Sequence, residues 1–421
     1  MRYLYNLVWF LILPFLPIRL LWRSRKNSAY RKNILERFAY FSFPALKGAI
    51  WVHTVSVGEA LSAAPLVKAL IKHYPDTKIV VTTMTPTGRE RLQKIFTDNE
   101  ILLLYVPYDY PLAVKRFLHH LNPKILVLIE TEIWPNILYY TAKLNTPIII
   151  GNARLSAKSF AGYSKIRPFI KSIINYTTMI LAQSKLDAER FQTLGLEPQK
   201  ISIAGNIKFD ISIPNEVLLE SSNLHSTLGK ARPIWVAAST HPLEEEKVLV
   251  ATKKVLESIP NALLILVPRH PERFDTVFDL CNQRGFKTIR YTKLQDYSSS
   301  INIIVGDVMG KMLSFYAASD IAFVGGSLIP WGGHNLLEPA ALAKPILTGP
   351  NLNAFLEISQ LLADADAMIK VNNEEELAQN LLKLFANSEL RGKLGTAALD
   401  VVEKHRGATT KILTTIENII K

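Results

Sequence analysis

Several charged side chains stand where predicted strands end, and their types suit a transfer reaction. Glu59 follows the apolar run 49–55 and falls in the first turn of a predicted helix. A carboxylate in that place could act as a general base toward a hydroxyl, or it could only complement the positive end of the helix dipole. Glu130 follows another apolar run, 124–129. Because parallel strands end at the same edge of a sheet, we expect both carboxylates at one edge.

Two basic residues could bind the anionic groups of a substrate. Lys208 lies within residues 200–210, where the alternation of strands and helices changes pace. A lysine at such a hinge could meet a phosphate or a carboxylate, and the alternative is a salt bridge to Asp210. Arg269 follows the apolar run 262–267, and its guanidinium can bind a phosphate through two hydrogen bonds.

A glycine-rich segment, residues 325–339, separates an apolar run at 321–324 from a helix-compatible run at 336–343. This arrangement predicts a turn from the carboxyl end of a strand to the amino end of a helix, where free N–H groups attract anions. Asn335 and Glu338 are three residues apart and would share a helix face. A carboxylate beside a phosphate site suits hydroxyl binding, as on a ribose. The alternative is a turn followed by an N-terminal cap.

The composition is that of a protein of two or three domains with an anionic partner. The chain has 421 residues, a net charge of +13 and a hydrophobic content of 48%. The excess of positive charge suggests nucleic acid, an anionic membrane surface or an anionic substrate. Cys281 is the single cysteine. The chain can therefore form neither an internal disulfide nor a cysteine-based metal site, which fits a reducing cytoplasm.

The amino terminus predicts a membrane anchor over residues 1–25. Residues 3–18 carry no charge, and a helix of that length would measure about 24 Å against about 30 Å of hydrocarbon. Basic residues follow, which under the positive-inside rule keeps the body of the protein in the cytoplasm. They are Arg19, Arg23, Arg25, Lys26, Arg31, Lys32 and Arg37. We expect the segment either to span the membrane or to lie in its interface, and a buried core helix is the alternative.

Beyond the anchor, apolar runs alternate with helix-compatible stretches, which predicts an α/β fold with parallel sheets. The predicted strands are 49–55, 78–83, 101–106, 124–129, 147–150 and 179–182, followed by 233–238, 262–267, 301–305, 321–324 and 345–348. We expect two Rossmann-like domains facing a cleft, the first over residues 26–205 and the second over 206–400. Residues 401–421 are expected to form a helix that could pack back on the first domain.

In combination, these segments resemble the Kdo transferases, which attach 3-deoxy-D-manno-octulosonic acid (Kdo) to lipid A precursors. The matching segments are 56–59, 83–88, 130–136, 152–156, 208–210, 268–274 and 332–335. The resemblance extends from the apolar amino terminus nearly to the carboxyl end. It implies a GT-B glycosyltransferase of lipopolysaccharide biosynthesis, with CMP-Kdo as donor and a lipid A precursor (lipid IVA) as acceptor. It also implies a place on the cytoplasmic face of the cell inner membrane.

The resemblance implies roles for individual residues. Glu59 matches the proton acceptor, and Glu130 and Lys208 match groups that stabilise the transition state. The segments that contact CMP match Pro268, Arg269, Met309, Gly310, Lys311, Asn335, Leu336, Leu337 and Glu338. Lys311 departs from the family, which commonly has glutamate after the Met-Gly pair. Nucleotide recognition is therefore altered if a carboxylate is needed at that position.

One base without a second carboxylate nucleophile fits a single displacement with inversion at the sugar. The donor is already activated by its CMP leaving group, so no cofactor is expected. No metal is expected either, because Asp364 and Asp366 match the DxD pattern by letters but fall in the helix-compatible stretch 355–368, not at a strand end. The expected partners are CMP-Kdo, the lipid A precursor and an inner membrane with anionic lipids, without nucleic acid.

Other classes of protein remain open. A sugar-nucleotide epimerase of the same two-domain fold would not need a membrane anchor. A basic membrane-bound binding protein with a decayed site would not be expected to keep Glu59, Lys208 and Arg269 together. Nucleic-acid binding is the weakest alternative, because the densest basic cluster adjoins the anchor and no aromatic-basic motif of the RNA-binding type occurs.

Overall fold

The chain folds into two compact units, one of residues 1–210 with 406–421 and one of residues 211–405. The structure is a computed structural model that describes residues 1–25, 27–229 and 231–420. Lys26 of the predicted basic cluster and Lys421 of the predicted C-terminal helix lie outside the described residues.

The first unit is built on a parallel sheet of seven strands in the order β3-β2-β1-β4-β5-β6-β7. Its strands are β1 Ile50–His53, β2 Ile79–Thr83, β3 Ile101–Tyr105, β4 Ile125–Ile129, β5 Ile148–Ala153, β6 Met179–Ala182 and β7 Ile201–Ile203. All residues of the central strands β1 and β4 are buried. Continuous apolar runs of this kind are expected where helices cover both faces of a parallel sheet.

The helices of the first unit connect these strands, precede them at the amino terminus and follow at the carboxyl terminus. They are α1 Arg2–Ile12, α2 Leu16–Ser24, α3 Val57–His73, α4 Pro86–Ile95, α5 Pro111–Leu121, α6 Pro135–Lys143, α7 Ala157–Ser164, α8 Arg167–Ile174, α9 Lys185–Thr193 and, after the second unit, α18 Ala408–Ile420. Proline stands at the first helical position of α4, α5 and α6, where its fixed φ favours helix initiation and its missing N–H costs nothing.

The second unit repeats the architecture with the strand order β10-β11-β9-β8-β12-β13-β14, again parallel throughout. Its strands are β8 Ile234–Thr240, β9 Leu263–Pro268, β10 Thr288–Arg290, β11 Ile303–Val305, β12 Ile321–Val324, β13 Ile346–Thr348 and β14 Met368–Lys370. Its helices are α10 Asn215–Leu228, α11 Glu244–Ser258, α12 Phe274–Gln283, α13 Met312–Ala317, α14 Leu337–Ala341, α15 Leu356–Asp364, α16 Glu374–Ala386 and α17 Ser388–His405.

The strand order of each sheet reverses next to its first strand, near the middle of the sheet. In the first unit the reversal lies between β1 and β4, and in the second between β8 and β12. In open α/β sheets, ligands bind outside the carboxyl ends of the strands at such a reversal. Ligand-binding residues are therefore expected in the segments that follow β1, β4, β8 and β12.

The division of the chain differs in detail from the boundaries expected at 205 and 401. Residues 206–210 belong to the first unit, because Asn206 bonds to Gln183 and the Ile207 N–H donates to Asn152. Residues 401–405 belong to α17 of the second unit. The next helix, α18, buries Ile412 and other apolar residues in the core of the first unit.

The amino-terminal segment lies on the first unit and is not a core helix. No residue of α1 is buried, and α2 buries only Leu16, Leu20 and Ser24. Leu16 packs against Tyr108 and its neighbours in a small separate cluster. By length and composition, Arg2–Ser24 is the one helical stretch among the described residues that could cross a membrane.

Candidate active site

Glu59 lies in the first turn of α3, directly after the central strand β1. Its N–H donates to Ser56 Oγ at 3.2 Å, and its carboxylate accepts from the N–H groups of Val55 at 2.7 Å and Ser56 at 3.3 Å. This is a capping box, which satisfies backbone donors that the helix leaves unpaired. The interpretation of Glu59 as a helix-terminal acid is therefore confirmed as a structural role.

The capping role leaves room for chemistry at Glu59. A carboxylate has about four lone-pair sites, and the two backbone bonds occupy two of them. The side chain is 8% exposed. The remaining lone pairs could accept a proton from a bound hydroxyl, so the role as base stays a prediction.

Glu130 follows β4, the neighbour of β1 at the reversal point. It has a φ of 64°, a left-handed conformation that non-glycine residues rarely adopt and that often occurs at functional sites. Burial, followed by repulsion from Glu59, raises the pKa of the Glu130 carboxyl. The positive charges of Lys208 and Arg154 oppose that rise. The charges of Glu59, Lys208 and Arg154 thus act on Glu130 within one unit.

Lys208 does not form the alternative salt bridge to Asp210. Asp210 accepts hydrogen bonds from the N–H groups of Gly407 at 2.7 Å and Thr409 at 2.6 Å, and so caps α18. The Lys208 N–H donates to Asn206, and among the described residues its ammonium has no ion-pair partner within bonding distance. The ammonium is therefore available to an anionic ligand.

Glu132 adds a third carboxyl to this edge of the sheet. Its Oε2 accepts from Trp134 Nε1 at 2.6 Å. Burial, with a smaller contribution from Glu59, raises the pKa of Glu132 to about 8. Glu132 is therefore mostly protonated at neutral pH, which limits the negative charge that gathers beside Glu59 and Glu130. Its position in the motif 130–136 was visible in the sequence, but its protonation follows only from burial.

The glycine-rich segment of the second unit begins directly after β12, at the reversal point of that sheet. The N–H groups of Gly326, Ser327 and Leu328 donate to the carboxylate of Glu244 at 2.6, 3.0 and 2.9 Å. The expectation that free N–H groups of this turn bind an anion is therefore wrong for these three. Glu244, in the first turn of α11, provides the anion from within the protein.

The turn has no space for a side chain where Glu244 meets it. A Cβ on Gly325 would lie 2.8 Å from Glu244 Oε2 and 2.9 Å from the carbonyl oxygen of Ala238. Burial raises the pKa of Glu244, and the N–H donors oppose that rise. Sequence reasoning missed this residue, although three consecutive glutamates, 244–246, stand a few residues after the predicted strand 233–238.

Asn335 and Glu338 meet, although Asn335 precedes the helix on which the two were expected to share a face. Asn335 Nδ2 donates to Glu338 Oε1 at 3.2 Å, and Asn335 Oδ1 accepts from the N–H of Leu337 at 3.1 Å. The helix at this place, α14, is shorter than the predicted run 336–343, and it buries Leu337 and is preceded by the buried Leu336. Burial raises the pKa of Glu338, and Arg269 opposes the rise.

Pro268 and Arg269 mark the end of β9, next to β8 in the sheet. The Arg269 N–H donates to the carbonyl oxygen of Thr240 at 2.9 Å. Its side chain is exposed. No ion-pair partner for the guanidinium occurs among the described residues of the chain. An exposed, unpaired guanidinium whose charge acts on Glu338 fits the predicted contact with a phosphate.

Lys311 has a partner that the sequence did not predict. Its ammonium lies 2.7 Å from Glu220 Oε1 on α10, and Glu220 Oε2 accepts from Ser314 Oγ at 2.7 Å. Met309 is exposed and Gly310 has a φ of 81°. Residue 311 is a lysine where Kdo transferases commonly carry a glutamate. The carboxylate of Glu220 lies beside the Lys311 ammonium instead.

The DxD-like pair does not form a cluster typical of metal sites. Asp364 is the last residue of α15, where it accepts from Gln360 at 2.6 Å. Residues 1–25, 27–229 and 231–420 contain no group of three or more His, Cys, Asp or Glu side chains placed to hold a metal ion.

Comparison with known proteins identifies the family. A family model described as 3-deoxy-D-manno-octulosonic-acid transferase (kdotransferase) matches residues 32–211. The 3-deoxy-D-manno-octulosonic acid transferase of Haemophilus influenzae is 39% identical over 394 residues, which are 93% of this chain and 92% of that protein. This chain belongs to the Kdo transferase family. The resemblance found in the sequence motifs is thereby confirmed, and with it the assignment as a glycosyltransferase.

Solved structures confirm the GT-B architecture that the Kdo transferase motifs implied. A glycosyltransferase from Rickettsia africae matches with a TM-score of 0.55 and 17% identity, covering 89% of this chain and 99% of that one. The UDP-GlcNAc 2-epimerase of Neisseria meningitidis matches with a TM-score of 0.58 and 13% identity, covering 88% and 100%. At these identities the likeness shows the fold alone, so the epimerase match does not favour the epimerase alternative.

Proposed function

We propose that this protein transfers Kdo from CMP-Kdo to a lipid A precursor in lipopolysaccharide biosynthesis, with inversion at the sugar. The observation that carries the proposal is the placement of the motif residues of a Kdo transferase at both reversal points. Glu59 and Glu130 follow neighbouring strands of the first sheet, and the glycine-rich segment follows β12 of the second.

The residues of the first unit would perform the proton transfer and charge stabilisation. Glu59 takes the proton of the acceptor hydroxyl while that oxygen forms a bond to the anomeric carbon of Kdo. The bond from that carbon to the phosphate oxygen breaks, and CMP leaves with the electron pair. Positive charge develops on the sugar during this step, and the carboxylate of Glu130 would stabilise it. Lys208 would balance the anionic groups of the donor.

The residues of the second unit would hold the donor. Arg269 offers an unpaired guanidinium for the phosphate. Glu338 presents a carboxyl, oriented by Asn335 at 3.2 Å, that suits hydroxyl groups of a ribose. Met309, Gly310 and Lys311 would contribute chiefly through their backbone, because the side chain of Lys311 is engaged by Glu220. No residue in this scheme requires a metal or cofactor.

We further propose that the protein acts at the cytoplasmic face of the inner membrane and that α1 and α2 lie in the interface instead of crossing the bilayer. Polar contacts hold α1 on the first unit. Tyr5 donates to Asp109 at 2.8 Å, and Asn6 accepts from Asn136 at 2.8 Å. If α1 crossed the bilayer, either its partners on the first unit would lie at the depth of the hydrocarbon, or its own polar groups would lie there unpaired. Unsatisfied polar groups are costly at that depth.

The opposite side of α1, of α2 and of the short turn between them carries an exposed apolar stripe. Its members are spaced three or four residues apart, which places them on one helix face. They are Leu4, Leu7, Leu11, Phe15, Ile18 and Trp22, each more than half exposed. A stripe of this kind followed by basic residues is typical of a helix that inserts into the surface of an anionic bilayer.

The donor assignment is tested by calorimetry with CMP and UMP on the full-length protein in detergent. We expect CMP to bind and the Arg269→Ala variant to bind it about 10- to 100-fold more weakly, the usual effect of losing a hydrogen bond to a charged group. Arg269→Lys should recover only part of the affinity, because lysine cannot form two parallel bonds. Arg284→Ala, which removes an exposed arginine paired to Glu246, is the matched control. Equal affinity for CMP in Arg269→Ala and wild type would refute the assignment.

A further inference from the structure

The second unit contains a pair of histidines, one of them buried, that the proposed mechanism does not use. His241 follows β8 and His334 lies in the glycine-rich segment, so the two flank the reversal point of the sheet. Their Nε2 atoms are 2.8 Å apart. The rings are within 4° of parallel, with centroids 5.0 Å apart. Since the nitrogens are much closer than the centroids, the rings lie side by side and share one hydrogen bond.

The surroundings of His241 fix the direction of that bond. His241 is 3% exposed, and its Nδ1 is buried without a hydrogen-bond partner among the described residues. A buried N–H without an acceptor is costlier than a buried lone pair, so Nδ1 carries no proton and Nε2 does. His241 therefore donates from Nε2–H to Nε2 of His334. As a neutral ring has one proton, His334 must carry its own on Nδ1.

Both rings are neutral at physiological pH. Burial lowers the pKa of His241 and of His334 to about 4 in each case. The positive charge of Arg269 lowers the pKa of both histidines further, and that of Arg273 does the same for His241. Trp331 stacks on one face of His241, with centroids 4.6 Å apart. These contacts hold the ring of His241 in place.

Nδ1 of His334 forms no hydrogen bond within the part of the chain that the structure describes, so its N–H is free to donate to a ligand. His334 directly precedes Asn335, and Arg269 is close enough to influence its charge. We propose that His334 donates from Nδ1–H to an anionic oxygen of the sugar-nucleotide donor, and that His241 is the positioning residue that fixes the tautomer. This inference rests on the donor site of the proposed function.

Two substitutions at His241 separate the hydrogen bond from the packing. His241→Phe keeps a ring against Trp331 but cannot donate, whereas His241→Gln keeps an N–H donor and loses the ring. His225→Gln, on α10, is the control. Each full-length variant is titrated with CMP, which offers only a phosphate, and assayed with CMP-Kdo, which adds the sugar carboxylate.

We expect His241→Phe to bind the sugar-nucleotide donor roughly 10- to 100-fold more weakly than wild type. In His241→Gln the affinity should be within about threefold of wild type. A loss seen with CMP assigns the oxygen to the phosphate, and a rise in KM for CMP-Kdo without a loss for CMP assigns it to the sugar carboxylate. Wild-type affinity for both ligands in His241→Phe, or a larger loss in His241→Gln, overturns the proposal. Failure of the wild type to bind either ligand overturns the donor site itself and this inference with it.

The tautomer is measured directly in the wild type, which keeps the test independent of variant folding. Nitrogen-15 spectra of histidine-labelled protein distinguish Nδ1–H from Nε2–H rings, and the His334 signal is assigned by its loss in His334→Gln. We expect the Nδ1–H form for His334. The Nε2–H form at neutral pH overturns the proposal.

Discussion

Removal of the Glu244 carboxylate should loosen the glycine-rich segment by an amount that the structure allows us to estimate. Glu244 is fully buried and accepts three backbone N–H bonds, from Gly326, Ser327 and Leu328. Each buried donor left without a partner costs about 1–3 kcal/mol. Glu244→Ala should therefore lower the free energy of opening this segment by about 3 kcal/mol, which is the lower bound for three donors. We expect the lower bound because water can enter the vacated space.

Glu244→Gln should destabilise the glycine-rich segment less. Two of the three bonds end on one oxygen, Oε1, which the amide retains, and one N–H of the turn then faces an NH₂ group. The expected loss is about 1–3 kcal/mol. Glu246→Gln is the matched control, because Glu246 stands in the same turn of α11 but forms a half-exposed pair with Arg284, typically worth about 0–1 kcal/mol.

Hydrogen exchange measured by mass spectrometry reports this destabilisation at the amides of residues 326–328. A loss of about 3 kcal/mol speeds their exchange on the order of 100-fold in Glu244→Ala. The order of rates should be Glu244→Ala, then Glu244→Gln, then Glu246→Gln together with wild type. If the three amides exchange as slowly in Glu244→Ala as in wild type, the carboxylate does not hold the turn and the reasoning is refuted.

Three further predictions follow from the first unit. Glu59→Gln should lower turnover by a factor on the order of 100 to 10,000 while CMP affinity stays the same, and near-normal turnover would exclude Glu59 as the base. The pKa of Glu132 is raised from 4.5 to about 8 in the folded state. Between these two pH values the folded protein therefore binds more protons than the unfolded chain, so Glu132 lowers the stability of the fold as pH rises from about 5 to 8. Thermal unfolding should show Glu132→Gln gaining stability relative to wild type over that range, and a difference independent of pH would contradict the shift. Leu7→Asp combined with Phe15→Asp should lower cosedimentation with anionic liposomes at least about tenfold, whereas Leu219→Asp, an exposed leucine on α10, should not. Equal loss in both would refute the interfacial stripe.

The central strands were predictable because each is a buried apolar run bounded by polar residues, such as 125–129 in β4. The strands β7, β10 and β14 were not predicted. Each has three residues at or near a sheet edge, and β7 is largely exposed, with Ile203 at 46%. An apolar pattern cannot indicate strands of this length whose side chains remain in contact with solvent.

The position of candidate residues along the chain was also predictable, because strand ends are visible in the alternation of runs. Their partners were not. Glu244 meets Gly326 across 82 residues of sequence, and that contact depends on β8 and β12 being neighbours in the sheet. The partner of Lys311, Glu220, depends in the same way on the packing of α10 against α13. Long-range contacts of this kind follow from topology and leave no local signal.

The most direct test of the account is the mass of the lipid product. Purified full-length protein is incubated with CMP-Kdo and a tetra-acylated lipid A precursor, and the lipid is weighed by mass spectrometry. We predict a product heavier by one or more Kdo units, formed together with CMP, and no such product with the Glu59→Gln variant at the same enzyme concentration. A lipid of unchanged mass, from a wild-type preparation that binds CMP, would contradict the proposed transfer.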